Sequence, residues 1–118
     1  SRYPKIAFDL NMLEGAGAQL SEAFQVAVYR MVQECLTNIS RHAGATKVNV
    51  QLYIEAQPRG QKLVVSIQDN GRGFNPKKVT GFGLAGMRER FEGLGAELMI
   101  QSSNKGTAVT ALIPLGKN

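Results

Sequence analysis

Three polar residues recur one helical turn apart in the segment 33–43, QECLTNISRHA, and could act on one ligand. Glu34, Asn38 and His42 follow each other at intervals of four, and Arg41 lies beside them. At about 3.6 residues per turn, this spacing places them in one stripe along a helix. A carboxylate can position a hydroxyl or water, an amide oxygen suits Mg²⁺, and a guanidinium can bind phosphate. Taken alone, the stripe is better explained by an ordinary solvated helix flank.

A second set of polar residues follows an apolar run, in IQDNGRGF. Asp69 ends the run and is followed directly by Asn70, Gly71, Arg72 and Gly73. A carboxylate held partly buried there can accept a hydrogen bond from an exocyclic amine such as that of adenine, and glycines let the backbone approach a flat base. The alternative is a tight hairpin turn at Asn-Gly, although no strand-like segment follows at hairpin distance.

A third segment, GFGLAG at 81–86, precedes an amphipathic pattern and is expected to open a helix. Free backbone N–H groups at a helix start favour phosphate, and Lys77 and Lys78 lie just upstream. A flexible loop before a helix is the simpler explanation of a single Gly-x-Gly. The segment lacks the Gly-Lys-Ser/Thr ending of a P-loop and does not follow a strand directly as a Rossmann fingerprint does.

The elements that must position these residues can be read from hydrophobic periodicity. We predict strands at 5–11, 47–55, 62–68, 97–103 and 107–115, the last four forming two antiparallel hairpins. Helical spacing predicts one helix over 24–43, capped by Ser21 and ended by Gly44. A second helix presents Leu84, Met87, Phe91 and Leu94 to the core and ends at Gly95.

This order of elements predicts an α+β fold, a two-layer sandwich in which both helices pack on one face of a mixed, mostly antiparallel sheet. The other face could be open to water. With 118 residues, 43% of them hydrophobic, the chain fits one domain, residues 1–118. We expect it to be a fragment of a longer protein.

Composition limits the function classes. Cys35 is the only cysteine, so disulfide frameworks and cysteine zinc sites are excluded, and a cytoplasmic setting is expected. The net charge of +5 is scattered along the chain without a basic run or interleaved aromatic residues, which argues against nucleic acid as a partner. No apolar run approaches the ~20 residues of a membrane-spanning helix.

Four segments in order, QECLTNISRHA, DNGRGF, GFGLAGMRER and GTAVTALIP, resemble the asparagine box and successive glycine boxes of the GHKL ATPase superfamily. Within it they are most similar to the catalytic domain of bacterial two-component sensor histidine kinases of the nitrate-sensor and hexose-phosphate-sensor type. The resemblance covers residues 24 to 115 and implies a Bergerat-type fold with ATP bound between helices, sheet and lid.

The resemblance also implies roles for individual residues. Glu34 would be the catalytic polar residue, Asn38 would hold Mg²⁺, and Asp69 would bind the adenine amine. The residues that it assigns to nucleotide binding are Asn38, Arg41, His42, Asp69, Gly71, Gly73, Gly81, Phe82, Gly83, Leu84, Gly106 and Thr107. The lid between Gly73 and Gly81 is shorter than in the family pattern.

The implied function is a protein histidine kinase that binds Mg-ATP and phosphorylates a histidine on a separate dimerisation domain of the same protein, with a response regulator downstream. His42 lies within the asparagine box and is the only histidine, so the chain alone is not expected to autophosphorylate. We expect a homodimeric parent, with membrane anchoring left open, and a monomeric fragment. Alternatives are an anti-sigma serine kinase of the same superfamily and a non-catalytic nucleotide-binding regulator. A chaperone or topoisomerase ATPase would need longer insertions.

Overall fold

The computed structural model describes residues 7–12, 20–39, 44, 46–58, 60–71 and 84–115, with side-chain surroundings for most of them but not for 7–12. These residues form five strands and two helices. In chain order the elements are β1 (Ala7–Met12), α1 (Glu22–Asn38), β2 (Lys47–Gln57), β3 (Gly60–Asp69), α2 (Leu84–Gly93), β4 (Glu97–Ser103) and β5 (Gly106–Pro114).

The strands form one sheet in the order β1-β2-β3-β5-β4. The two predicted hairpins, β2 with β3 and β4 with β5, are antiparallel as expected, and β1 joins β2 in parallel. β3 also pairs antiparallel with β5, so that β3 is the central strand. The α+β architecture with a mixed, mostly antiparallel sheet is therefore confirmed.

Alternation along the strands separates the two faces of the sheet. In β3, Leu63, Val65 and Ile67 join a buried cluster with residues of both helices, which confirms that α1 and α2 pack on one face. We call this the inner face. Val64 and Ser66 point to the outer face and are also buried, beside partners on β2 and β5. Because side chains alternate along a strand, Asp69 belongs to the inner face together with Ile67.

α1 begins where the sequence predicts. The Ser21 hydroxyl accepts a hydrogen bond from the Phe24 N–H at 3.3 Å, the usual N-cap contact. The most deeply buried residues of its apolar side, Ala27, Met31 and Cys35, recur every four positions. The described helix ends at Asn38, and residues 40–43 of the predicted helix lie outside the described residues. Gly44 has φ 61°, in the left-handed region that favours glycine, and its role as the end of the helix stays a prediction.

The end of α2 corrects one expected core residue. Gly95 has φ 87° and its N–H bonds the Glu92 carbonyl at 3.0 Å, while the Ala96 N–H bonds the Phe91 carbonyl at 2.9 Å. This pair of hydrogen bonds is a Schellman motif, which confirms Gly95 as the stop. Leu94 is consequently the capping residue rather than part of the apolar face, and 37% of it is exposed. Phe91 is fully buried.

Candidate functional site

Asp69 is the last residue of the central strand, β3, and belongs to the inner face of the sheet. It pairs with Val48 of β2 on one side and with Thr107 of β5 on the other. Its Oδ1 accepts a hydrogen bond from the Gly71 N–H at 2.8 Å. Burial raises the pKa of Asp69, while hydrogen bonds from the backbone of Gly71 and Thr107 act in the opposite direction. A carboxylate has about four lone-pair sites. Asp69 therefore keeps capacity to accept a further hydrogen bond.

Gly106 and Thr107, at the start of β5, lie directly against Asp69. Gly106 has φ 141°, and a Cβ added there would meet the Asp69 carbonyl oxygen and come within 3.2 Å of the Asn70 Cα. Thr107 is buried, and its hydroxyl shares a 2.8 Å hydrogen bond with that of Ser102 on β4. The structure thus brings Asp69, Gly71, Gly106 and Thr107 into one cluster, because β5 lies beside β3.

On α1, Glu34 and Asn38 are partly buried and flank Cys35. Burial, and to a smaller extent the negative charges of Glu34 and Asp69, raise the pKa of the Cys35 thiol to about 12. Both carboxylates are therefore close enough to act on one thiol. It follows that Asp69 and the 34–38 segment of α1 occupy the same side of the sheet, around Cys35.

A cavity of about 300 Å³ opens beside this cluster, at the β3, β5 and β4 side. Asp69, Thr107, Ser102, Gln101 and Lys105 are among its lining residues. Among the described residues that line it, none comes from α1. The cavity therefore extends the Asp69 and Thr107 cluster toward the β4–β5 turn rather than toward Asn38.

Several residues singled out in the sequence lie outside the described residues. They are Arg41, His42, Gly73, Lys77, Lys78, Gly81, Phe82 and Gly83. Leu84 is described as the first residue of α2, and it is buried in the core cluster. The roles assigned to all of these residues stay predictions.

Two polar residues gain a place near the site that sequence reasoning did not give them. The side chain of Asn70 bonds the backbone of Thr46 and Lys47, and Ser102 bonds Thr107. Asn70 follows Asp69 directly, but an Asn-Gly pair signals a turn and not a long-range partner. Ser102 stands in an alternating strand, where nothing local distinguishes it from a solvated serine.

The oxygen donors on α1 suit a metal ion that is held mainly by the phosphates of a bound substrate and by water. Among the described residues there is no group of three or more His, Cys, Asp and Glu side chains that could hold a metal ion. Mg²⁺ commonly takes only one or two protein oxygen ligands and completes its shell with water and substrate phosphates. The Asn38 amide oxygen is a hard donor of this kind, with the Glu34 carboxylate one turn away.

Comparison with known proteins now identifies the family. The family described as histidine kinase-, DNA gyrase B- and HSP90-like ATPases matches residues 24–117. The chain belongs to this family. That span contains both α1 with Glu34 and Asn38 and the cluster around Asp69. It is an ATP-binding domain of the kind found in sensor histidine kinases.

The relatives to which this ATPase domain is similar include proteins named as histidine kinases. It is 38% identical over 104 residues to the signal transduction histidine-protein kinase/phosphatase DegS of Brevibacillus brevis, which covers 86% of the chain and 26% of DegS. It is 41% identical over 96 residues to the histidine-protein kinase/phosphatase UhpB of Salmonella typhimurium, covering 80% of the chain and 18% of UhpB. The chain thus spans only about a quarter or less of these relatives.

Solved structures share its fold. The blue-light activated histidine kinase of Erythrobacter litoralis EL346 superposes with a TM-score of 0.70 at 27% identity, over 95% of this chain and 36% of that one. The mycobacterial sensor histidine kinase MprB gives a TM-score of 0.64 at 19% identity, over 96% of this chain and 84% of that one, and shows the fold alone. In the described part of the ATPase domain, neither helix has the length and apolar character needed to cross a bilayer.

Proposed function

We propose that the chain binds Mg-ATP and supplies the γ-phosphoryl group that phosphorylates a histidine on a separate dimerisation domain of a longer sensor kinase. The observation that carries this proposal is the half-buried Asp69 carboxyl, fixed by Gly71 and Thr107 on the same side of the sheet as Glu34. A partly buried carboxylate with unused acceptor capacity suits an exocyclic amine.

Adenine recognition is assigned to the Asp69 cluster. The Gly71 N–H occupies one carboxylate oxygen of Asp69, and the remaining acceptor sites receive the amine. Thr107 offers a buried hydroxyl whose direction is constrained by Ser102. Such a pocket rejects a purine that carries a carbonyl in place of the amine, because two acceptors would then face each other.

Phosphate positioning is assigned to α1 and to the predicted lid. Asn38 would hold Mg²⁺, with Arg41 and His42 near the phosphate chain and Gly81 to Leu84 anchoring the lid. When bound, Mg²⁺ screens the charge of the triphosphate. Glu34, one turn before Asn38, orients the incoming imidazole and accepts its proton. Phosphoryl transfer depends mainly on positioning and charge stabilisation, and a site of amide, carboxylate and basic groups provides both.

The partners of the proposed kinase are a phosphoacceptor histidine domain of the same protein and a downstream response regulator. The identification of DegS and UhpB as histidine-protein kinases supports this assignment. We further propose that the isolated chain is monomeric, that its longer parent is a homodimer, and that the domain works in the cytoplasm.

Phosphotransfer chemistry tests the proposal directly. The 118-residue chain is mixed with labelled ATP, Mg²⁺ and the histidine-bearing dimerisation domain of its parent protein. We expect label on that domain, labile in acid and stable in base, and no label when Mg²⁺ is chelated or when the chain is incubated alone. Acid-stable phosphoserine on a protein substrate would instead indicate a serine kinase. Nucleotide binding without any transfer would indicate a regulatory module.

A further inference from the structure

We propose that Asn70 is a positioning residue that fastens the chain returning from α1 to the segment carrying Asp69 and Gly71, and that it thereby sets the affinity for nucleotide. The proposal rests on the nucleotide-binding function given above. It concerns a residue that connects the chain following α1 to the Asp69 cluster and is not among the residues assigned to ligand contact.

The side chain of Asn70 makes three hydrogen bonds to residues more than twenty positions away. Its Oδ1 accepts from the backbone N–H groups of Thr46 and Lys47, both at 2.9 Å, and its Nδ2 donates to the Thr46 hydroxyl at 2.9 Å. Its own backbone N–H also bonds the Lys47 carbonyl at 3.3 Å. Both ends of the amide are therefore used, which fixes its orientation.

These contacts join the two sides of the site where the β-ladder stops. The last ladder pair between β2 and β3 is Val48 with Asp69, so Asn70 continues the connection beyond the strands. Thr46 follows Asn38 by only seven intervening residues, 39–45, within which Gly44 turns the chain. Asn70 consequently links the return from α1 to the residue on either side of it, Asp69 and Gly71.

The link acts on the carboxylate through its neighbour. Asn70 precedes Gly71, whose N–H holds the Asp69 Oδ1 at 2.8 Å. If Asn70 is released, the backbone at Gly71 loses its restraint and the carboxylate loses the donor that directs it. Asn70 and Thr46 are both exposed, so water replaces the lost hydrogen bonds and the global stability changes little. The consequence is expected in positioning.

Asn70→Ala removes all three side-chain hydrogen bonds and is the main test. Two quantities are measured on the 118-residue chain: amide hydrogen exchange at Thr46, Lys47 and Gly71 without nucleotide, and the Kd for a non-hydrolysable ATP analogue with Mg²⁺. We expect faster exchange at all three amides and an affinity at least about tenfold weaker. Gln33→Ala, which removes an exposed amide side chain from α1, should change neither quantity.

Two further variants separate positioning from a general loss of structure. Asn70→Asp keeps an acceptor for both backbone N–H groups and lets the Thr46 hydroxyl donate, so protection of the three amides should return. Thr46→Val removes only the Nδ2 to Oγ1 bond and should shift exchange in the same direction by a smaller factor. It also keeps the test available if Asn70→Ala does not fold.

The outcomes distinguish this inference from the proposed function. If Asn70→Ala speeds exchange at Thr46 and Lys47 but leaves Gly71 exchange and the Kd unchanged, Asn70 only closes a turn and the inference is wrong. If the unsubstituted 118-residue chain binds no ATP analogue, the proposed function fails. Hydrogen exchange at Gly71 still decides whether Asn70 restrains the Asp69 segment.

Discussion

At the scale of single residues, the site depends on how Asp69 is held. Gly71 donates to its Oδ1, the backbone of Thr107 contributes a second hydrogen bond, and burial raises its pKa. These influences oppose each other: desolvation disfavours the charge and the N–H donors favour it. The carboxylate is therefore oriented by the backbone and left with acceptor sites for a ligand.

Replacing this carboxylate by an amide tests its role with little change in shape. In Asp69→Asn, the amide oxygen is expected to stay with the Gly71 N–H, so that the NH₂ group faces the adenine amine and two donors oppose each other. A hydrogen bond to a charged group contributes about 1.5–3 kcal/mol. We expect at least about tenfold weaker binding of an ATP analogue by calorimetry.

The matched control for Asp69→Asn is Glu55→Gln, the same change of charge at an exposed position on β2. It should leave the Kd unchanged. Equal affinities of Asp69→Asn and the unsubstituted chain would exclude Asp69 as the adenine acceptor.

The raised pKa of Asp69 predicts a pH dependence of binding. Asp69 takes up a proton at higher pH than an ordinary aspartate, and the protonated carboxyl is a poorer acceptor for the amine. Affinity for an uncharged adenine nucleoside should fall on acidification, beginning above the ordinary aspartate pKa. The affinity of the Asp69→Asn variant should not fall in this pH range. If the unsubstituted chain and the variant show the same dependence of affinity on pH, Asp69 is not the adenine acceptor.

The same shift acts on stability with a defined sign. Because the folded-state pKa is raised, the folded chain binds this proton more tightly than the unfolded chain. The contribution of Asp69 to stability is least favourable above its raised pKa and improves as pH falls toward the ordinary value. Burial of this charge is thus a stability cost that the site carries at neutral pH.

At the scale of elements, the close approach of β5 to the end of β3 forms the base of the site. Gly106 allows it, since its φ of 141° and the adjacent Asp69 carbonyl leave no room for a side chain. Gly86, inside α2, is different: a Cβ there would meet nothing within 4 Å. The two glycines therefore give a matched pair for one substitution.

We expect Gly106→Ala and Gly86→Ala to change stability in opposite directions. Gly106→Ala should lower the free energy of unfolding by about 1–3 kcal/mol or more. The alanine would have to adopt a backbone conformation nearly restricted to glycine, and its Cβ would clash with the Asp69 carbonyl oxygen. Gly86→Ala should raise the free energy of unfolding by up to about 1 kcal/mol, the helix propensity gained. Denaturant unfolding measures both, and a neutral Gly106→Ala would show that β5 can move away from Asp69.

At the scale of the whole molecule, the two helices of the described residues cover one face of the five-stranded sheet, and the candidate site lies around Asp69 at the end of the central strand. Cys35 marks this position, since it is buried in the core while the charges of Glu34 and Asp69 both reach it. The chain has no other cysteine, so thiol chemistry reports on this one place. Opening of the helix layer should expose it.

Thiol labelling should therefore follow opening of the fold. Because the pKa of Cys35 is raised to about 12, very little of the thiol is ionised at pH 8, and its burial excludes reagent. We expect negligible labelling of the native chain, full labelling in denaturant, and slower labelling when an ATP analogue is bound, because the ligand stabilises the folded state. Rapid labelling under native conditions would contradict the packing of α1 against the sheet.

Much of the fold followed from local patterns. Alternation defined the two hairpins, and glycine and serine marked helix boundaries, because strand pleating, N-capping and left-handed turns act over a few residues. The error at Leu94 has the same origin: its spacing matched the apolar face of α2, but the Schellman motif ended the helix first. The family resemblance of the ordered motifs also assigned Asp69, Gly71, Gly106 and Thr107 to nucleotide binding; the structure brings these four residues together, and their role stays a prediction.

What only the tertiary structure decided are the contacts between segments distant in the sequence. The placement of β5 between β3 and β4 puts Thr107 beside Asp69, and the pairing of β2 with β3 puts Thr46 within reach of Asn70. The effect of the Asp69 charge on Cys35 likewise arises from packing of α1 on the sheet. Periodicity specifies which face of an element is apolar, whereas strand order depends on the competition among all possible pairings of the chain.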